Sequence, residues 1–211
     1  TVEELQGVAD FCRRHDLILV SDEIHHDLVF PGHRHTVMTR IDGIADRLVM
    51  MTAATKTFNI AGCHTGNVII ADEALRARFA ARMTGLGISP NSFGLHMVTA
   101  AYSPGGAAWV DGLMTYLDGN RKLFDAGVDG IPGLRSMPLE ATYLAWVDYS
   151  ATGLSKAEML ERVEKQAMIA TNHGETFGAG GEGFLRFNLA APRVQVAEAL
   201  DRLQKAFADL Q

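Results

Sequence analysis

The chain has 211 residues, 47% hydrophobic and 21% charged, the composition of a soluble globular protein with one domain or two small ones. Nineteen Lys and Arg stand against 25 Asp and Glu, a formal charge of −6, and this excludes the basic stripe expected of a general nucleic-acid binder. No apolar stretch reaches the roughly 18 residues of a membrane span. TVEELQGVAD at the start carries neither a basic leader nor an apolar signal core. Cys12 and Cys63 are too few for a disulfide framework, so reduced thiols and the cytoplasm are expected.

In chain order, residues 1–15 read as a helix. Thr1 is its N-cap, Glu4 stands three residues on, and Val2, Leu5, Val8, Ala9 and Cys12 fall at helical spacing. LILVS (17–21), LVMMT (48–52) and NVIIA (67–71) are short apolar runs, of the kind buried on both faces of a parallel sheet. Helical patterns dominate from Asp72 to about Phe124, with breaks at GLGISPN and SPGG. GVDGIPGLRSMP then reads as loop, and YLAWVDY (143–149) as an alternating strand. SKAEMLERVEKQA (155–167) is a helix with a Ser155–Glu158 capping box. FLRFNLA (184–190) is a second alternating strand, and residues 194–210 form a closing amphipathic helix. The first part is thus α/β and the second α+β, with a junction expected near residue 117.

Two polar clusters follow apolar strands, on the rim where open α/β sheets bind ligands. The first runs from Ser21 to Asp27, the second from Thr52 to Asn59. Lys56 stands out in the second. A lysine amine partly withdrawn from water is competent for a Schiff base or as a general base. The hydroxyls of Thr52, Thr55 and Thr57 could help hold a phosphate. On spacing alone, Lys56 could equally be a surface lysine in a strand-to-helix loop. Asp22 could pair with a pyridinium nitrogen or simply cap a turn. His25 could donate to a phenolic oxygen of the same ring or be a hydrogen-bonded loop histidine. Arg186 could grip a carboxylate bidentately or point outward from an edge strand. His25, His26, His33 and His35, with Asp22, Glu23 and Asp27, are metal-ligand residue types. Adjacent His25 and His26 point apart, however, and no HxxxE-type helical spacing is present, so no metal is expected.

Five segments taken together resemble the fold-type I pyridoxal-phosphate enzymes, the class I/II aminotransferase superfamily, and within it the cystathionine β-lyase-like C–S lyase branch. They are SDEIHHDLVFPGHRH (21–35), TAATKTFNIAGCHTGNVII (52–70), AAYSPGGAAWVDGLMTYLDGN (100–120), EATYLAWVD (140–148) and GGEGFLRFNLAAPR (180–193). The resemblance implies an α/β fold of the aspartate aminotransferase type, with residues 1–117 the C-terminal part of the cofactor-binding large domain, its sheet mostly parallel, and 118–211 an α+β small domain. It implies pyridoxal 5'-phosphate as cofactor, Lys56 as the Schiff-base lysine, Asp22 as the partner of the pyridine nitrogen, and Arg186 as the ligand of the substrate carboxylate. His25 falls where many aminotransferases have tyrosine, and histidine there is typical of the lyase branch. Aspartate-type transaminases carry an arginine eight residues after the lysine, as a phosphate ligand; here the residue is His64, so phosphate binding is expected to be shared with Thr52 and Thr55. Ala54, Thr55 and Ala141 replace a frequent proline, serine and glycine.

Family members continue well upstream of Thr1. The remaining phosphate donors, the aromatic ring stacked on the cofactor and several strands are therefore expected outside this sequence, and the chain alone is expected to be inactive. The implied activity of the intact enzyme is cleavage of cysteine S-conjugates to thiol, pyruvate and ammonia. It would act on a small amino-acid substrate, as a homodimer, without nucleic-acid or membrane partners. An aminotransferase using the same residues is the first alternative, and a non-catalytic interaction protein the second.

Overall fold

The computed structural model describes residues 1–210. It divides into two compact units, Thr1–Gly112 and Leu113–Gln211. Among the described residues no helix is long and apolar enough to cross a membrane.

The first unit opens with α1 (Val2–Arg14), and Thr1 and Glu4 form the expected capping box. Ala9 and Cys12 on its inner face pack with Met38, Ile41, Ile44, Leu48 and Met50. β1 (Leu19–Asp22) pairs in parallel with β2 (Leu48–Thr52). α2 (Ala54–Thr57) is a single turn directly after β2. β3 (Asn67–Ile69) pairs antiparallel with β2, so this three-stranded sheet holds one parallel and one antiparallel pair. α3 (Glu73–Gly85) is capped by Asp72, and α4 (Ser92–Ala101) by Asn91. Burial on both faces, expected for the apolar strands, is found for Leu48, Val49 and Met50 of β2 only. Leu17, Ile18, Val20, Val68 and Ile69 are exposed, because among the described residues nothing covers the outer strands as α1 covers β2.

α5 (Pro104–Asp129) runs through the division between the units. It begins where the SPGG break was read. The Ser103 hydroxyl accepts from Gly106 N, and Pro104 takes the first helical position, where its missing N–H costs nothing.

The second unit is a four-stranded antiparallel sheet in the order β4-β5-β7-β6, made of β4 (Arg135–Ser136), β5 (Leu144–Asp148), β6 (Asn172–His173) and β7 (Phe184–Asn188). One face is the core. Ala145, Val147, Leu185 and Phe187 pack there on Phe124 and Val128 of α5, on Met159 of α6 (Lys156–Leu160) and on Val196, Leu200 and Leu203 of α7 (Arg193–Ala206). The Ser155–Glu158 capping box forms as read, and α6 continues as a π-helical stretch over Glu161–Gln166. Buried Asn120 of α5 donates to the carbonyls of Leu189 and Ala191, tying the helix to the end of β7. The other face carries Trp146, Phe184 and Arg186, all half-buried.

Candidate active site

The site in the first unit is built from the ends of β1 and β2. Glu23 N donates to Met51 O at 2.8 Å, which continues the pairing one residue past β1. The Glu23 carboxylate turns inward. It accepts from Ser21 Oγ (3.1 Å), Met38 N (2.9 Å) and His35 Nε2 (2.7 Å), while its carbonyl accepts from His26 Nδ1 at 2.7 Å. A buried carboxylate persists only when its lone pairs are filled this way. One side chain thus pins the whole segment from Ser21 to Met38. Asp22, the neighbour of Glu23, points the other way, as successive strand residues do. It is exposed, with Oδ1 accepting from Ile24 N at 3.1 Å. The turn-capping role left open from sequence is therefore occupied by one carboxylate oxygen, and the other is free for a ligand.

α2 presents Lys56. Its flanks Ala54, Thr55 and Thr57 face inward and are buried, which leaves Lys56 on the outer side of the turn. Lys56 is exposed rather than withdrawn from water, and its amine has neither a hydrogen bond nor an ion pair among the described residues. The Thr57 hydroxyl, read as a phosphate donor, instead donates to Asp27 Oδ2 at 3.1 Å. His26 Nε2 lies 3.2 Å from the other Asp27 oxygen. This Asp27–Thr57 tie joins the turn that carries Asp22 and His25 to the helix that carries Lys56.

Asp22, Thr52, His64, Gly66 and Asn67 line one cavity of about 350 Å³. Thr52 Oγ1 accepts there from Asn67 Nδ2 at 3.4 Å. His64 is exposed and held in the left-handed conformation at φ 44°. Gly66 approaches Thr52 O so closely that a Cβ would lie 3.1 Å from it, so a side chain at that position would crowd the cavity wall. A second cavity, of about 530 Å³, lies beside Asp27, Phe58, Tyr102 and Asp111, and holds none of the residues expected from sequence except through Asp27. Burial and the Asp27 carboxylate push the Tyr102 phenol up from its ordinary value.

Arg186 belongs to the second unit. β7 is an inner strand, flanked by β5 and β6, so the outward edge-strand alternative does not hold. Arg186 Nη2 donates to Asn172 Oδ1 at 2.9 Å, and its Cζ lies 4.5 Å above the centre of the Phe177 ring. Its Nε is buried with no partner. Burial raises the Tyr143 phenol, and the positive charge of Arg186 opposes that rise. The structure thus gathers Asp22, Thr52 and His64 at one cavity, links them through Asp27 and Thr57 to the turn bearing Thr55 and Lys56, and places Arg186 separately on the open face of the second sheet. Asn172 and Phe177 were not read from sequence as site-forming residues, and Glu23 and Asp27 were read only as members of the polar cluster after the first apolar strand and as metal-ligand types. For Glu23 and Asp27 a signal existed in the density of carboxylates and histidines between residues 22 and 35.

A model of the family described as aminotransferase class I and II matches residues 1–203. Cystathionine beta-lyase PatB of Bacillus subtilis is 38% identical over 207 residues, which cover 97% of this chain and 53% of that protein. The crystal structure of cystalysin from Treponema denticola, containing pyridoxal 5'-phosphate, superposes with a TM-score of 0.91 at 38% identity, over 99% of this chain and 54% of that one. An aromatic aminotransferase of Pyrococcus horikoshii superposes with a TM-score of 0.90 at 25% identity, over 99% of this chain and 56% of that one. The chain therefore spans about half the length of the curated relatives it matches. The architecture is α/β of fold type I, as the sequence implied.

Proposed function

Because this chain belongs to the aminotransferase class I and II family, we propose that it forms the C-terminal part of a pyridoxal-phosphate-dependent C–S β-lyase that cleaves cysteine S-conjugates to thiol, pyruvate and ammonia. In this reading the first unit is the C-terminal part of the cofactor-binding domain and the second is the small domain. The carrying observation is a lysine amine without a partner on the turn directly after β2, together with a carboxylate at the end of the paired strand β1 that keeps one oxygen free and lines a cavity.

The residues fit the cofactor. Lys56 would hold it covalently through Nζ. Asp22 would face its ring nitrogen and keep that nitrogen protonated. His25 would serve its phenolic oxygen, and Thr52, Thr55 and His64 would contribute to its phosphate. When bound, pyridoxal phosphate supplies an electron sink for the pair left on the substrate Cα. The remaining work falls to side chains. Lys56 Nζ, released when the substrate amine takes its place, would take the Cα proton as general base. Arg186 fixes the substrate carboxylate and so sets the direction of the Cα–H bond. The sulfur would then leave Cβ as a thiolate that takes up a proton, and water would hydrolyse the remaining three-carbon fragment to pyruvate and ammonia.

His25, with the 38% identity to a cystathionine beta-lyase, favours the lyase over the aminotransferase. Both reactions use Lys56, Asp22 and Arg186. The deciding experiment is incubation of the protein at its natural length with cystathionine and no keto acid. Pyruvate and free thiol support the lyase. Activity only when a keto acid is supplied returns the assignment to an aminotransferase, and no visible cofactor band with the fold intact supports a non-catalytic role. We further propose a cytoplasmic homodimer. The apolar helix α4, with Phe93 79% exposed and Leu95 and Met97 also open, supports a covered surface in the assembled protein.

A further inference from the structure

Arg186 is held by two neighbours that neither the sequence nor the family match assigns to a role. We propose that Asn172 and Phe177 are positioning residues that fix the Arg186 guanidinium as a preformed carboxylate receptor, an inference that rests on the carboxylate-binding role of Arg186 given above. A free arginine side chain loses rotamer freedom when fixed, and a receptor organised before the ligand arrives avoids that loss on binding. Phe177 covers one flat face of the guanidinium at 4.5 Å. Asn172, which faces Arg186 in the β6–β7 register, takes a hydrogen of Nη2. Nε is buried with no partner. The donors left for a ligand therefore lie along the terminal Nη edge, which presents two parallel N–H groups to a carboxylate.

The placement of Phe177 is built into the backbone. Its ring is 52% exposed, which core packing does not explain. The loop that carries it is cinched by Gly174 and Gly181. A Cβ on either would lie 2.1 Å from the other's carbonyl oxygen. Gly178 and Gly180 turn the chain at φ 118° and 88°, in the region that favours glycine. Trp146 meets the Phe177 ring edge-on at 5.6 Å and itself stacks on Phe184 at 5.4 Å. The result is an aromatic platform with the guanidinium resting on it, an arrangement that also favours the cation electrostatically.

The test uses the protein at its natural length labelled with ¹⁵N-arginine, with the Arg186 signals assigned by their loss in Arg186→Lys and propionate as the probe. In the wild type the Nη groups of Arg186 should give separate, slowly rotating resonances that shift on addition of propionate. Phe177→Tyr keeps the ring and should preserve both results. Phe177→Leu and Asn172→Ala should collapse the Nη signals to an average and weaken propionate binding by roughly fivefold or more, with unchanged thermal melts. Averaged Nη signals in the wild type would overturn the inference. So would wild-type signals and affinity in both variants, or losses that follow a lowered melt and are not spared in Phe177→Tyr. Restrained Nη groups that do not respond to propionate would uphold the positioning and remove the carboxylate role from the proposed function.

Discussion

The two units handle apolar surface in opposite ways. In the second, buried residues from Phe124 to Phe207 form one continuous core, to which α5, α6, α7 and the inward faces of β5 and β7 contribute. In the first, the largest cluster is the small group between α1 and β2, while Leu17, Ile18, Val20, Val68, Ile69, Ile88 and Phe93 stay open to solvent. The second unit has the organisation of a self-sufficient domain. The first has the organisation of a partial one, held together locally by polar ties at Glu23 and Asp27 rather than by a deep core. The residues proposed to carry the chemistry lie on that less buried part, and the proposed carboxylate receptor lies on the well-packed one.

Truncating the same kind of side chain in each unit tests this contrast most severely. Phe187→Ala should destabilise the second unit by about 3–5 kcal/mol through the lost transfer and the cavity left behind. Val20→Ala, at a position 56% exposed, should stay within about 0.5 kcal/mol. Denaturant titrations read both, and a comparable loss at Val20 would mean that the first sheet is covered after all. Next in size is Glu23→Ala. It leaves His35, Ser21 and Met38 N without their acceptor, and charged hydrogen bonds of this kind are worth roughly 1.5–3 kcal/mol. The loss should be accompanied by faster amide exchange from Ser21 to Met38. Loss of stability with unchanged exchange in that segment would deny Glu23 its organising role.

Much of this contrast was legible in the sequence. The capping boxes at Thr1–Glu4 and Ser155–Glu158 formed as read because both partners are local. Alternation marked LAWVD and FLRFN as strands, and both formed with alternating burial, since a strand with one covered face must alternate. Continuous apolar runs misled instead. Val20 and Val68 look like interior residues, yet their burial depends on what lies across the sheet, and a local pattern does not hold that information. The two-residue strands β4 and β6 are too short for any periodicity, and with β6 the pairing of Asn172 with Arg186 stayed hidden. Lys56 was singled out by its place after a buried strand, whereas its exposure follows from which sides of the α2 turn Thr55 and Thr57 occupy. Thr57 was read as a phosphate donor because its bond to Asp27, 30 residues away in sequence, leaves no trace in local spacing.

A smaller effect sharpens the picture around the Asp27 tie. Burial and the nearby Asp27 carboxylate raise the Tyr102 phenol, so the folded state keeps that proton where the unfolded chain, with an ordinary tyrosine value of about 10, releases it. The resulting stabilisation is fully present below the unfolded value and fades as the pH rises through the higher folded one. Tyr102→Phe should remove this part of the alkaline decline, as denaturant melts between neutral and strongly alkaline pH would reveal. A decline identical to that of the wild type would place the cause elsewhere.

Lys56 is the point on which the functional account turns. Its side chain is exposed and without a partner, so Lys56→Ala should leave stability within about 0.5 kcal/mol while abolishing covalent cofactor attachment. The direct measurement is borohydride reduction of the protein at its natural length after incubation with pyridoxal phosphate, followed by peptide mass mapping. The account predicts one reduced adduct, at Lys56, absent from Lys56→Ala. An adduct on Lys122, Lys156, Lys165 or Lys205 instead, or none in a folded protein, would contradict it.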